Sequence, residues 1–239
     1  MIRHIFLDET DSTNNYAKSL KDFDGGLTVI RAARQTGGRG RNGNTFFSDH
    51  PGGVWASIIT PITDISTHFT HNRAISLAIL ESLKKSGGNN AQVSIKWPND
   101  VYWGDKKIVG ILLENIPEKT DALVIGFGIN VNIAVSDFPA ALKDIVTSVL
   151  IETGREWPLE DLFEDILNGY SQYVNGDQAA IHKLYCDNLY KKGCRATVDQ
   201  YAGTFVTVDI DGRIRLDTGH GEELLSSGTL RFLGDGGNE

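Results

Sequence analysis

Four arginines and no carboxylate stand between Gly25 and Ser48, in a 239-residue chain whose net charge is −8. Three of them lie in Arg34-Gln35-Thr36-Gly37-Gly38-Arg39-Gly40-Arg41-Asn42-Gly43, where four glycines fall within seven positions. So many glycines disfavour a helix or strand interior, because each loses more backbone entropy than other residues. They also let backbone N–H groups approach a ligand, and a guanidinium is a fixed cation whose planar fork matches carboxylate or phosphate. A basic, glycine-rich loop in an acidic protein reads as a small anion site rather than a solvated surface loop.

Gly38, Gly40 and Gly43 also spell G-x-G-x-x-G. A dinucleotide fingerprint needs a strand before it and a helix directly after it. Leu27–Ala33 reads as the strand, but Asn44–Gly53 reads as loop and Val54–Ile59 as another strand. The strand–loop–strand context excludes a Rossmann turn.

Two further polar clusters sit where the pattern breaks. Asp8–Asn15 is a turn rich in helix-capping residues, and Ser12-Thr13-Asn14 would cap a helix that runs on through Leu20. The same hydroxyls and amide could bond a polar ligand ring. Lys96-Trp97-Pro98-Asn99-Asp100 ends the alternating run Gln92–Lys96, since proline lacks a ladder donor and biases Trp97 to extended geometry.

The elements that must carry these clusters follow from periodicity. Ile2–Leu7, Val54–Thr60, Val101–Trp103, Lys107–Glu114 and Asp121–Phe127 read as further strands, the last running into Gly128-Ile129-Asn130-Val131-Asn132. Thr67–Ser86 has the spacing of a helix with one buried side, ended by Gly87-Gly88. Asp144–Glu152 and Leu159–Tyr190 read as mainly helical, with breaks at Gly154, Trp157-Pro158 and Asn175-Gly176. From Cys194 five short strands follow: Arg195–Asp199, Phe205–Ile210, Arg213–Leu216, Glu222–Leu225 and Thr229–Phe232, with Asp211-Gly212 as a hairpin turn. The expected architecture is α+β, a mixed sheet packed against helices over residues 1–190, then a small SH3-like β-barrel over 191–239. Gly234–Glu239 reads as a frayed tail.

Composition narrows the classes. Net acidity opposes general nucleic-acid or membrane-surface binding. Cys186 and Cys194 form no CxxC pair, which fits neither a disulfide scaffold nor a zinc site and suits a reducing compartment. No signal peptide or membrane-length apolar run is visible, so a cytoplasmic protein is expected.

Taken together, Ser-Thr-Asn, Gln-Thr-x-Gly-Arg-Gly-Arg, Lys-Trp-Pro-Asn-Asp, Lys-Ile-Val-Gly-Ile-Leu-Leu-Glu and Gly-Phe-Gly-Ile-Asn-Val-Asn resemble the biotin–protein ligases, in that family's order and over essentially the whole chain. The resemblance implies a class II synthetase-like catalytic domain. It also implies two steps: biotin's carboxylate attacks the α-phosphate of ATP to give biotinyl-5′-AMP, and a lysine of a biotin carboxyl carrier domain then displaces AMP. Ser12, Thr13, Asn14 and Gln35 would hold the ureido ring. Lys96 would sit between the carboxyl and the phosphate, with Arg39, Gly40 and Arg41 folding over the adenylate on a glycine hinge. Asn99, Lys107 and Asn130 would serve ATP and its magnesium, with no protein-ligated metal, and Asp100 would be the base for the acceptor lysine or merely cap the Lys96 turn. Phe46 stands where many relatives carry an adenine-stacking tryptophan, with Phe47 beside it. The chain begins directly with the catalytic region, so no DNA or membrane partner is implied. Two alternatives remain: a lipoate- or octanoate-handling ligase, which needs an apolar slot, and a nucleic-acid module using the arginine loop.

Overall fold

Val54–Ile59 and Ala122–Ile129 are apolar almost without a break, the pattern of strands buried on both faces. They pair antiparallel at the centre of a seven-stranded sheet. The protein is described from a computed structural model, over residues 2–23, 25–88, 91–116 and 119–234. The strands are β1 (Ile2–Thr10), β2 (Leu27–Gln35), β3 (Gly53–Pro61), β4 (Val93–Lys96), β5 (Asp100–Trp103), β6 (Lys106–Ile116) and β7 (Lys119–Asn130). Their spatial order is β1-β2-β3-β7-β6-β5-β4. β1 and β2 run parallel, with α1 (Thr13–Ser19) in the crossover; the other pairs are antiparallel.

Strand alternation assigns the two faces. Leu123, Ile125, Phe127 and Ile129 of β7 pack with α2 (His68–Gly87), α4 (Leu159–Asn175) and α5 (Gln178–Asp187); the short α3 (Val149–Thr153) lies between α2 and α4 in the chain. Ala122 and Val124 pack instead with Ile30, Ile59 and Ala17 of α1. Burying each large apolar side chain contributes about 1.5–3 kcal/mol.

The helix expected with one buried side is more enclosed than that: α2 buries Ala74, Ile75, Leu77, Ala78, Ile79 and Leu80 in succession, because α4 closes over the side turned away from the sheet. Asp144–Glu152 is corrected as well. Only Val149–Thr153 is helical, since Lys107 of β6 exchanges backbone bonds with Ile145 and Thr147, and Ser148 then caps α3 by accepting from Ile151 N at 3.1 Å. Of the expected tail, residues 235–239 lie outside the described residues.

The five C-terminal strands form one antiparallel sheet: β8 (Arg195–Val198), β9 (Tyr201–Val208), β10 (Ile214–Asp217), β11 (Glu222–Leu225) and β12 (Leu230–Phe232), ordered β11-β10-β9-β8-β12. Its inward residues Val198, Phe205, Val208 and Ile214 join the buried cluster around α2. The β9–β10 turn touches the larger domain directly. Trp97 Nε1 donates to Gly212 O at 2.9 Å, and a Cβ on Gly212 would fall 2.6 Å from the Phe69 ring.

Enclosure of α2 has a consequence for pH. His71 is 6% exposed, with Nδ1 at 2.8 Å from the Tyr170 hydroxyl. Burial, reinforced by neighbouring His68, pushes its imidazole down to about 4 from 6.5. Folded His71 refuses a proton that the unfolded chain accepts, so its stabilisation is complete above pH 6.5 and is lost as pH falls toward 4, by about 2–3 kcal/mol. Thermal melts should show Tm dropping through that window, and His71→Gln should flatten the slope. His68 and His182, also held low by burial, would supply what remains.

Candidate active site

Beyond Val124 the α1-bearing face of β7 presents Gly126 and Gly128, and Gly128 pairs with Gly110 of β6. Three positions without side chains leave a trough in the sheet. A Cβ on Gly126 would lie 2.0 Å from Asn14 Oδ1; on Gly110 or Gly128 it would lie 2.8 or 2.5 Å from the Phe46 ring. Asn14 and Phe46 therefore rest directly on backbone.

At one end of the trough, the start of α1 builds a small, buried polar pocket of about 30 Å³. Ser12 occupies the N-cap position yet makes no side-chain capping bond. Gln35 Oε1 instead accepts from Thr13 N at 2.7 Å and Thr13 Oγ1 at 3.0 Å. The Ser57 hydroxyl lies 2.6 Å from Asn14 Oδ1 and 2.7 Å from Thr13 Oγ1. Asn14 Nδ2 donates to Glu114 Oε2 at 2.8 Å and to Leu112 O at 3.2 Å. Glu114 is half-buried. Burial would raise its carboxyl, but bonds from Lys18 and Asn14 and the charges of Lys18 and Arg39 outweigh that and hold it below the ordinary range.

At the other end lies a cationic pocket of about 180 Å³, lined by Arg39, Arg41, Lys96 and Lys107 and reached by Thr229 of the C-terminal sheet. The arginine loop is a closed hairpin: Phe46 N donates to Gly38 O at 2.9 Å and Gly40 N to Asn44 O at 2.7 Å. Gly38 has no alternative there, because a Cβ would meet Ser48 Oγ at 2.1 Å. Arg39 Nη1 donates to Asn15 Oδ1 at 2.9 Å and sits 3.9 Å from Glu114. Lys96 Nζ lies over the Tyr102 ring, 4.8 Å from its centroid, and donates to the hydroxyl at 3.2 Å. Burial, with the charge of Asp100, raises the Tyr102 phenol so that it stays neutral.

Lys107 reaches this face through an irregularity. Val101 pairs with Val109 and Tyr102 with Lys107, so Ile108 is the extra residue of a bulge. Ile108 and Val109 both stay in the core, and Lys107 turns to the side of Gly110. There its Nζ stands 2.7 Å from Asp100 Oδ1 and 5.7 Å from the Phe46 centroid.

The expected residues thus gather in two adjoining pockets that share Arg39, Phe46, Gly110 and Leu112. Ser12, Thr13, Asn14 and Gln35 line the polar one; Gly40, Arg41, Lys96, Asn99, Asp100 and Lys107 line the cationic one. Asn130 lines neither. It is 4% exposed, two residues beyond Gly128 on the same strand, with Nδ2 donating to Thr147 O and Oδ1 lacking a hydrogen-bond partner. Phe46 lines both pockets, whereas Phe47 packs on Phe138 at 5.5 Å. Ser57, Tyr102, Glu114 and the three strand glycines were not anticipated as site residues. The glycines carried a signal, since glycine inside a strand marks close approach of another group; Ser57, one hydroxyl in an apolar strand, carried a weaker one.

Residues 6–130 match the model of the Biotin/lipoate A/B protein ligase family. The bifunctional ligase/repressor BirA of Bacillus subtilis strain 168 is 31% identical over 97% of this chain and 74% of its own length. The biotin–[acetyl-CoA-carboxylase] ligase of Paracoccus denitrificans is 30% identical over 70% of this chain and 71% of its own. Among solved structures, the biotin protein ligase from Aquifex aeolicus in complex with biotin and ATP superposes with a TM-score of 0.84 at 27% identity, covering 96% of this chain and 99% of that one.

The trough makes its own test. Gly126→Ala should destabilise by about 1–3 kcal/mol through overpacking on Asn14. Combining it with Asn14→Ala should cost less than the two singles summed, because the clash partner is gone. Urea titrations of the four proteins measure that coupling; strict additivity would mean Asn14 does not rest on Gly126.

Proposed function

This chain belongs to the biotin/lipoate A/B protein ligase family, and from that premise we propose that it is a biotin–[acetyl-CoA-carboxylase] ligase. The observation that carries the reading is the junction of two unlike pockets, one neutral and hydrogen-bonding, the other cationic, meeting at Arg39 and Phe46. A ligand with a ureido ring and a carboxylate fits across them, ring among Ser12, Thr13 and Gln35, carboxylate toward Lys96. A lipoyl or octanoyl chain in the polar pocket would offer Ser12, Thr13 and Gln35 no hydrogen bond, and each polar group it desolvated without one would cost about 1–3 kcal/mol.

The biotin carboxylate oxygen then attacks the α-phosphorus of ATP and pyrophosphate leaves. Both reactants are anions, so Lys96, Arg39 and Arg41 offset their repulsion and stabilise the charge that develops. Magnesium would come with the phosphates and offset their charge, and Asn130, two residues beyond Gly128, would offer it the type of carbonyl oxygen a hard cation takes, since its Oδ1 has no hydrogen-bond partner. In the second step an acceptor lysine amine attacks the carbonyl carbon, the mixed anhydride breaks, and AMP departs. The amine must first lose a proton, and our reading gives that role to Asp100, which lines the cationic pocket. Lys107 holds Asp100 in the structure described here; phosphates that draw Lys107 away would release the carboxylate.

Native mass spectrometry after incubation with biotin and MgATP should show retained biotinyl-5′-AMP; retention of a lipoyl adenylate instead would overturn the reading. Lys96→Ala should reduce biotin-dependent pyrophosphate exchange by more than about tenfold, or ~1.4 kcal/mol, with biotin affinity nearly unchanged. Phe46→Ala should weaken ATP binding by about tenfold to a hundredfold, as loss of one stacked ring does. Phe47→Ala should lower Tm and leave ATP affinity alone, since its ring packs on Phe138. Calorimetric titration beside thermal melts separates the two aromatics.

A further inference from the structure

Arg73 of α2 lines neither pocket, is a cation, and is 1% exposed. Among the described residues its hydrogen-bond partners are neutral. Nη2 donates to Gln178 Oε1 at 2.7 Å, and Nη1 donates to His182 Nδ1 at 3.3 Å and to Ile210 O at 3.4 Å; Nε has no partner. Two of these acceptors are held ready for it. Gln178 Nε2 bonds the carbonyls of Tyr173, Val174 and Gly176 where α4 ends, at 3.1, 3.2 and 3.1 Å, so Oε1 is the end turned to Arg73. Burial, then the Arg73 charge, holds the His182 imidazole below its ordinary value, which leaves Nδ1 free to accept. A buried guanidinium with neutral partners is a costly way to fill a core, because an apolar side chain of similar volume is often as stable there or more so. What it supplies is direction, since its planar fork fixes several acceptors at once.

One of those acceptors belongs to the connection between β9 and β10. That connection closes on itself, with Asp209 N donating to Arg213 O at 2.8 Å and Gly212 N to Asp209 O at 2.9 Å, so Ile210 and Gly212 move together. α2 grips it twice. Arg73 holds Ile210 O, and Phe69, one helical turn earlier and with its ring centroid 5.4 Å from the guanidinium carbon, packs on Gly212. Gly212, at φ +91°, presents its carbonyl to Trp97 Nε1, and Lys96 is the preceding residue. Resting on the assignment of Lys96 to adenylate formation, we propose that Arg73 is a positioning residue for that step: it pins the β9–β10 connection, which holds the Trp97 indole and so sets the backbone from which Lys96 reaches the two anions.

The test compares wild type, Arg73→Met, Trp97→Phe and the double variant in biotin-dependent pyrophosphate exchange, below the melting transition of all four. Each single variant should lower kcat by about tenfold. The KM for biotin should stay within about twofold, because the polar pocket is untouched. The double variant should be no slower than the slower single, since both changes break one chain of contacts. A substrate-free readout accompanies it: the Trp97 indole N–H, assigned by its loss in Trp97→Phe, should be protected from hydrogen exchange in wild type and exposed in Arg73→Met. Arg73→Lys, which keeps the charge but not the fork, should fall between wild type and Arg73→Met in both readouts, and it decides the matter if the methionine variant does not fold. A folded Arg73→Met with wild-type kcat overturns the proposal. So do losses that multiply in the double variant, or an indole that stays protected. Wild type without biotin-dependent exchange would remove the assignment of Lys96 instead, and the indole readout would still decide whether Arg73 holds the connection.

Discussion

The close approach of side chains to bare backbone at Gly110, Gly126 and Gly128 is the constraint on which the site depends. A sheet surface normally carries a side chain at every second residue, and those side chains hold a packed helix about 10 Å away. Where three neighbouring positions have none, the layer above sinks. The start of α1 drops far enough for Asn14 to touch β7, which brings Thr13 within reach of Ser57 and Gln35. Phe46 drops onto the β6–β7 pair and so forms the wall common to both pockets. The polar pocket, the aromatic between the pockets and the height of α1 above the sheet are consequences of one local absence of Cβ atoms.

Electrostatics then divides the trough. Arg39, Arg41, Lys96 and Lys107 line or border one cavity, and the carboxylates set against them include Asp100 on Lys107 and Glu114 near Arg39. Glu114 is shared: it also pairs with Lys18 at 2.8 Å and accepts from Asn14. Four cationic side chains are thus gathered at one cavity of a chain that is acidic overall. Gathering like charges costs free energy that folding alone does not return, and an anionic ligand removes that cost on binding. Local carboxylates of this kind hold cations in place without competing strongly with a phosphate, which carries more charge and more acceptor oxygens.

Much of this was legible because the chemistry is concentrated in short polar runs between apolar ones. The Ser12–Asn14 turn, the arginine loop and Lys96–Asp100 announce themselves by composition, and the α+β order of elements follows from periodicity. The five C-terminal strands were also visible, since each is bounded by turn residues. What failed has a common physical cause. Periodicity reports one partner surface, so α2, packed by the sheet and by α4, looked one-sided. It also assumes unbroken alternation, so the bulge at Ile108 that re-aims Lys107 left no trace in the pattern. Residues 145–147 resembled helix because nothing local reveals that a backbone partner waits on β6. Tyr102 and Glu114 acquire their places only through contacts made across strands.

Those cross-strand contacts explain why the small C-terminal sheet bears on the reactive end of the molecule. Lys96 is followed by Trp97, which is 2% exposed and hydrogen-bonded to Gly212 in the β9–β10 turn. Gly212 is itself fixed from below by Phe69 of α2. On its other side the Lys96 ammonium lies over Tyr102, whose ring packs at a tilt on Tyr190 at 5.0 Å, and Tyr190 meets Phe232 of β12 edge-on at 5.4 Å. The lysine backbone and the lysine charge are thus referred to the same five-stranded sheet by two separate routes. A flexible four-carbon stem has several rotamers to lose, so an ammonium that must sit between two anions benefits from supports that select one of them. Placing those supports on a sheet that shares the buried cluster of α2 ties the position of the charge to the core.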